Sequence, residues 1–366
     1  MTNELAEQRR SAAEGADPPE SSALHPGSIG KRLAELRLPR FAGLILLVVL
    51  IVVFGAIMPD TFLTTATATS IARGQSIVIV LALSLMLCLC AGVFDLSVAA
   101  NLGFGAVLNL TLMAGHGWTP LLACVVTIAA CAFVGVVNAV LVVRVGMDSF
   151  IATLGVSSLL TALTEIVSGD VIVGPAPPGF QNIASWQPLG IPVLIIYASA
   201  LCFVVWYVLE HTPAGRRLYA TGANKAAATL AGISTGRFVT GAFVSCAAGA
   251  GLAAVLLSAS VGSISPNAGA SYLLPVFAGC FLAATQVKPG RYNVGGLLIA
   301  LFLLGTGVKG LQLLGGQVWI PDLFNGLALL TAVGLAVYLQ RRQIRRSKSR
   351  VSRPRQPVDR LPTAAP

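Results

Sequence analysis

The chain has 366 residues, of which 55% are hydrophobic and only 10% charged, with a formal net charge of +10. Soluble domains carry roughly a quarter charged residues, so this composition excludes a soluble globular protein and indicates a polytopic membrane protein. A net positive charge would suggest nucleic acid in a soluble chain, but here the cations gather in the tails and between apolar runs, the signature of membrane topology.

Residues 1–40 are polar and contain proline, which reads as a cytoplasmic tail without a cleavable signal peptide. Within it, Gly30 to Arg40 is expected to form a short interfacial helix. The first apolar run then serves as the targeting signal. A helical span needs about 20 apolar residues, and ten such runs follow: 41–58, 71–91, 95–114, 120–143, 149–168, 191–209, 238–261, 271–287, 293–314 and 320–340. The expected fold is therefore all-α, with about ten transmembrane helices and both termini cytoplasmic. The region 71–114 has two readings: two spans sharing a turn at Gly92 to Asp95, or one span and a broken helix shielded by protein.

The polar residues Asp95, Ser97, Asn101, Asn109, Thr153 and Lys309 fall in or near these runs and are the candidates for a pathway or gate. Asp95 has a second reading as N-cap of the third span, bonding the amide of Ser97 or Val98. Ser157, Ser158, Thr161 and Glu165 add further polar groups to the fifth run, and Lys309 and Glu165 near span ends can also snorkel. Ser168 to Pro192, with five prolines, reads as an ordered external loop lacking regular structure.

His211 to Arg237 is a basic, polar segment held between apolar runs. Its four cations, Arg216, Arg217, Lys225 and Arg237, place it in the cytoplasm. Asn224 is expected to cap a short helix from Lys225 to Leu230, which Gly232 ends. Such a small-faced helix suits a partner's groove; the plainer reading is a solvated loop that only sets topology. Beyond residue 340 a basic tail runs to the C-terminus, and it can also attract anionic lipid. With ten alternating spans, six cations lie in the N-terminal tail, nine in the C-terminal tail and seven in inner loops. Only Arg73 and Lys309 remain elsewhere.

No G-x-x-x-x-G-K-[ST] phosphate loop occurs, so energy must come from an ion gradient or a partner. His25, His116 and His211 lack metal-binding spacing, and no nucleophile has an evident base, so neither a metal site nor an enzyme is expected. The seven cysteines all lie in apolar runs and read as small core residues. Gly103 and Gly105, the pair Gly232 and Gly236, and the cluster Gly305, Gly307 and Gly310 read as close helix contacts.

Three segments together, FDLSVA at Phe94 to Ala99, SFIATLG at Ser149 to Gly155 and TPAGRRLYATGANKAAATLAGI at Thr212 to Ile233, resemble the ribose-type sugar permeases of bacterial ABC importers. The resemblance implies a multi-pass inner-membrane permease subunit that does no covalent chemistry. Its implied partners are two ATPase subunits, which bind ATP and magnesium, a second permease copy or paralogue, and a periplasmic or lipid-tethered substrate-binding protein. It also implies that Gly215, Arg216, Arg217, Tyr219, Gly222, Asn224, Ala227 and Gly232 belong to the segment that couples to the ATPase. The solute implied is a sugar or polyol. The chain departs from the family pattern at SYLLPVFAGCFLAATQ (Ser271 to Gln286), where an apolar residue replaces an acid, and at Lys309, where asparagine is frequent. A branched-chain amino-acid ABC permease and an ion-coupled secondary carrier remain the alternatives.

Overall fold

The computed structural model describes residues 41–332 and Gly334. The tails at 1–40 and 341–366, with the expected interfacial helix at Gly30 to Arg40, lie outside the described residues. Those described form helices joined by tight turns, with one isolated antiparallel bridge between Val173 and Ile264. The all-α membrane architecture is therefore as composition indicates.

Seven helices are long and apolar enough to cross a bilayer: α2 (Thr65–Cys90), α3 (Val98–Leu110, prolonged by a π turn at Thr111–Gly115), α4 (Pro120–Ala139, prolonged by a π turn at Val140–Arg144), α5 (Ser149–Ser168), α7 (Val193–His211), α10 (Thr235–Val261) and α12 (Val294–Leu313). The first expected span appears as a shorter apolar helix, α1 (Ala42–Ile57), and the described part of the last as α13 (Ile320–Ala332). Shorter helices include α6 (Pro178–Ser185), α8 (Pro213–Ala223), α9 (Lys225–Leu230) and α11 (Leu273–Ala283), besides a single turn at Pro59–Phe62.

Local signals set the helix ends. Thr64 accepts from Thr67 N at the start of α2, Asp148 accepts from the Phe150 and Ile151 amides at the start of α5, and Asn293 accepts from Gly296 N at the start of α12. Each satisfies amides that have no partner within the helix. Gly92, Gly169 and Gly262 follow the ends of α2, α5 and α10 with positive φ, the conformation a helix C-terminus uses and glycine adopts without strain. The region 71–114 thus resolves into two helices separated by the turn at 91–97.

The 27-residue α10 is the central post, packed against α4, α2 and α3. Its seam with α4 is lined by small residues. A Cβ on Gly135 would lie 2.9 Å from the Val244 Cα, and one on Gly251 would lie 2.9 Å from the Cys131 Cβ. Backbones that close are how membrane helices gain packing where lipid offers no hydrophobic drive. Gly103 abuts the backbone of Gly269, and Gly307 and Gly310 lie against the rings of Phe324 and Phe54. Gly232 differs from its expectation: its surroundings are open, so it ends α9 and makes no helix contact. All seven cysteines are free, six are buried and Cys124 is half-buried.

Two segments depart from the sequence reading. The run at 271–287 is not one continuous span: a 3-10 turn, Pro266–Tyr272, leads into the 11-residue α11. At about 1.5 Å per residue that crosses roughly half the hydrocarbon layer. The interruption is tolerated because protein covers it. The turn packs on α3, and the Cys280 thiol donates to the Ala82 carbonyl at 3.4 Å. The loop at 168–192, expected to lack regular structure, contains α6. Pro178 opens that helix, and Phe180 and Ala184, one turn apart, are buried on its inner face. Ala176 N donates to the Gly262 carbonyl at 2.7 Å, tying the loop to the end of α10.

Candidate functional site

The segment between α7 and α10 is built by two successive caps. Thr212, after the last turn of α7, accepts from Gly215 N at 3.3 Å, and Pro213 opens α8 at the position where its missing N–H costs nothing. Asn224 then breaks the helix with an extended backbone and accepts from Ala227 N at 3.0 Å, starting α9. At the far end, Ile233 N donates to the Ala228 carbonyl and Gly232 N to the Thr229 carbonyl, both at 3.0 Å, with Gly232 at φ +78°. The expected helix from Lys225 to Leu230 is therefore present with both its caps.

On α9 only Ala228 faces inward. Lys225, Ala226, Ala227 and Thr229 are exposed, and Leu230 is 91% exposed at the tip. An apolar side chain so bare, on a rigid helix outside the spans, is the kind of anchor that a partner buries. Beside it lies an open groove of about 430 Å³ lined by Arg217, Ala231, Gly232, Ile233, Ser234, Arg237 and Phe238. The surface is thus a small apolar knob with cations around it.

What α9 stands on is firm. Gly222 of α8 meets Gly92 in the α2–α3 turn so closely that a Cβ on Gly92 would lie 2.9 Å from the Gly222 Cα. Tyr219 donates its hydroxyl to the Tyr292 carbonyl at 2.6 Å, and the Arg291 guanidinium sits 3.8 Å over its ring. Burial raises the Tyr219 phenol above its ordinary value, so it stays a donor. Glu210 pairs with Lys288 at 2.7 Å and more loosely with Arg291 at 3.9 Å. Gly222 and Tyr219 thus join α8 to the turn that carries Asp95 and to the α11–α12 loop, and Glu210 joins the end of α7 to the same loop.

The candidates in this segment therefore divide by direction. Arg216, Arg217, Asn224, Ala227 and Gly232 are exposed. Gly215 is buried against the backbone of Leu209, and Tyr219 points inward, so both position the surface rather than form it. Leu230, Glu210, Lys288 and Arg291 were not singled out as site residues. In the sequence Lys288 and Arg291 count only as inner-loop cations, and Leu230 and Glu210 are an isolated leucine and an isolated acid beside polar segments, too common to be read without the fold.

The intramembrane candidates are placed differently. Asp95 is 1% exposed and accepts from Ser97 N at 3.0 Å, Ser97 Oγ at 2.6 Å and Asn138 Nδ2 at 3.5 Å. It bonds the Ser97 amide as expected, from a position two residues ahead of the α3 cap. Asn101 Nδ2 reaches the Cys131 and Ala247 carbonyls, both at 3.4 Å. Asn109 donates to Ser258 Oγ at 2.8 Å and accepts from Thr127. Thr153 accepts from Leu96 N at 3.0 Å. All are buried and stitch α3 to α4, α5 and α10, whereas Lys309 is half-buried on α12. Ser158, Thr161 and Glu165, at i, i+3 and i+7 on α5, form an exposed polar stripe on a membrane-length helix.

Cys88, Asp95 and Cys246 bring their ligand atoms within 4.8 Å of one another, a grouping of the size a cation needs. Asp95 Oδ1 is already engaged by Ser97 and Asn138.

The family described as branched-chain amino acid transport system / permease component matches residues 67–333. The chain is 31% identical over 299 residues to the ribose import permease protein RbsC of Bacillus subtilis (strain 168), covering 81% of this chain and 91% of that relative. It is 27% identical over 298 residues to the D-allose transport system permease protein AlsC of Escherichia coli (strain K12), with the same coverage. It is 28% identical over 261 residues to the autoinducer 2 import system permease protein LsrD of Salmonella paratyphi B, covering 69% of this chain and 78% of the relative. No solved structure matches the chain.

Proposed function

The chain belongs to the branched-chain amino acid transport system permease family, among its ribose-type sugar ABC importer permeases, and on that premise we propose that it forms half of a solute pathway opened by partner ATPases. It is an integral inner-membrane permease. ATP and magnesium belong to the ATPase subunits, and this chain needs no cofactor of its own. The second half of the pathway is another copy or a paralogue, and a periplasmic or lipid-tethered binding protein delivers the solute.

The observation that carries this reading is α9: a capped, exposed helix ending in a bare Leu230. Seated in a groove on the ATPase, with Ala227 on the contact face and Arg216 and Arg217 beside it, α9 receives the closing motion. α8 passes that motion through Gly222 to the α2–α3 turn, and through Tyr219 and Arg291 to the α11–α12 loop. The packed helices then switch as rigid bodies between two arrangements.

The topology that goes with this reading has ten crossings, both tails and the α8–α9 segment in the cytoplasm, and α1, α13 and the broken stretch made of the Pro266–Tyr272 turn and α11 completing the count. Support comes from the cations: 22 of 24 then lie on the inner side. The solute is a neutral monosaccharide or polyol. The buried set Asp95, Ser97, Asn101, Asn109 and Thr153 holds helices in register, while the stripe of Ser158, Thr161 and Glu165 faces water between two copies, because lipid offers the Glu165 carboxylate no partner.

Reconstitution with the ATPase and binding protein tests the reading. ATP should drive accumulation of a monosaccharide or polyol, and an ion gradient without ATPase should drive none. Uptake on the gradient alone would make the chain a secondary carrier, and uptake restricted to a branched-chain amino acid would replace the solute class.

A further inference from the structure

Arg73 is a cation that neither the coupling surface nor the inner loops absorb. It lies in the third turn of α2, at the end of the bundle remote from α8, since the other end of α2 meets Gly222 through Cys90. Among the described residues both ion pairs belong to Glu210, and the buried Nε of Arg73 has no hydrogen-bond partner. A charge inside a span is costly, and its retention calls for a counter-charge.

The depth of Arg73 identifies that counter-charge. With 26 residues, α2 is about 39 Å long against a hydrocarbon thickness of about 30 Å. The Arg73 Cα lies about 12 Å along the axis from Thr65, just inside the apolar layer. Helical side chains lean toward the N-terminus, so the guanidinium snorkels to the headgroup level of the leaflet remote from α8. There it borders an open groove of about 420 Å³ along Thr65, Ala66, Thr69 and Ser70, with Thr65 and Ser70 exposed. On its other side is a cavity of about 340 Å³ bearing Gln181, Ser260 and Tyr272.

We propose that this groove binds the phosphate of an anionic phospholipid, with the Arg73 guanidinium as its fork and the Thr69 and Ser70 side chains beside it. A guanidinium matches two phosphate oxygens at once. A neutral solute would leave the charge uncompensated. A carboxylate on a soluble partner would have to enter the headgroup layer to meet the guanidinium, where a lipid phosphate already lies. The inference rests on membrane embedding and not on the coupling surface, so either can fail alone.

The test is native mass spectrometry of the full chain extracted in mild detergent, with phosphatidylglycerol as the added probe and gel filtration to verify folding. Wild type should retain one phosphatidylglycerol per chain. Arg73→Gln should retain about tenfold less or lower still, consistent with losing a charge-assisted hydrogen-bonded pair. Arg73→Lys should be intermediate, and Ser70→Ala, a milder change that keeps the fold, should reduce retention about threefold. Equal retention by wild type and all three variants overturns the proposal. So does binding of inorganic phosphate that displaces the lipid at equal concentration, which would make free phosphate the ligand. Unchanged lipid retention in Arg73→Gln with weakened binding-protein affinity would assign the cation to a carboxylate on that partner and equally reject the lipid site.

Discussion

Tyr219 shows how much of the candidate surface depends on one side chain that never touches a partner. Its hydroxyl holds the Tyr292 carbonyl at 2.6 Å and its ring carries Arg291, so α8 is tied to the α11–α12 loop. Tyr219→Phe keeps the stacked ring and loses only the hydrogen bond, a cost of about 0.5–1.5 kcal/mol. Tyr219→Ala also removes the ring beneath the guanidinium, worth about 0.5–2 kcal/mol more at a half-buried site. The expected order in solute moved per ATP hydrolysed is wild type, then Phe slightly lower, then Ala well below both. Equal ratios for the three, with Ala still folded, would show that this link carries no motion.

At the scale of elements, α5 separates two kinds of polar residue. Thr153 is buried and accepts from Leu96 N, while Ser158 and Thr161 are exposed. In a background cleared of the seven native cysteines, Ser158→Cys and Thr161→Cys should react with a small water-soluble thiol reagent in the assembled transporter, and Thr153→Cys should not. Reaction at Thr153→Cys alone would reverse the assignment of faces. The sequence could not decide this. A membrane helix is apolar toward lipid and toward its neighbours alike, so the 3.6-residue period that exposes a buried face in a soluble helix is largely erased. The caps were legible for the opposite reason. Asn224 acts through its own side-chain oxygen and Gly232 through its own backbone, each within a few residues. The half-length α11 and the loop helix α6 were not legible, because each exists only where α3, α2 or α10 covers it.

For the whole molecule, the composition alone identified a helical membrane protein, and the motifs at Phe94, Ser149 and Thr212 pointed to the permease family that the relatives establish. The proposed function depends on a connection between a partner ATPase and a membrane path. The structure supplies a continuous series of contacts along that connection, from the exposed α9 through α8 to the turn carrying Asp95.

That connection is tested most directly by Ala227→Glu, assayed for ATP-dependent uptake and for copurification of the ATPase. Ala227 is exposed, outside every span, and its side chain is not needed to cap α9, so membrane insertion should stay near normal. An unpaired carboxylate buried in a partner's groove costs about 3–5 kcal/mol, enough to abolish uptake by releasing the ATPase or by blocking transmission of its motion. Uptake at the wild-type rate by Ala227→Glu, with the ATPase still copurifying, would contradict the account and leave Lys225–Leu230 as a connector.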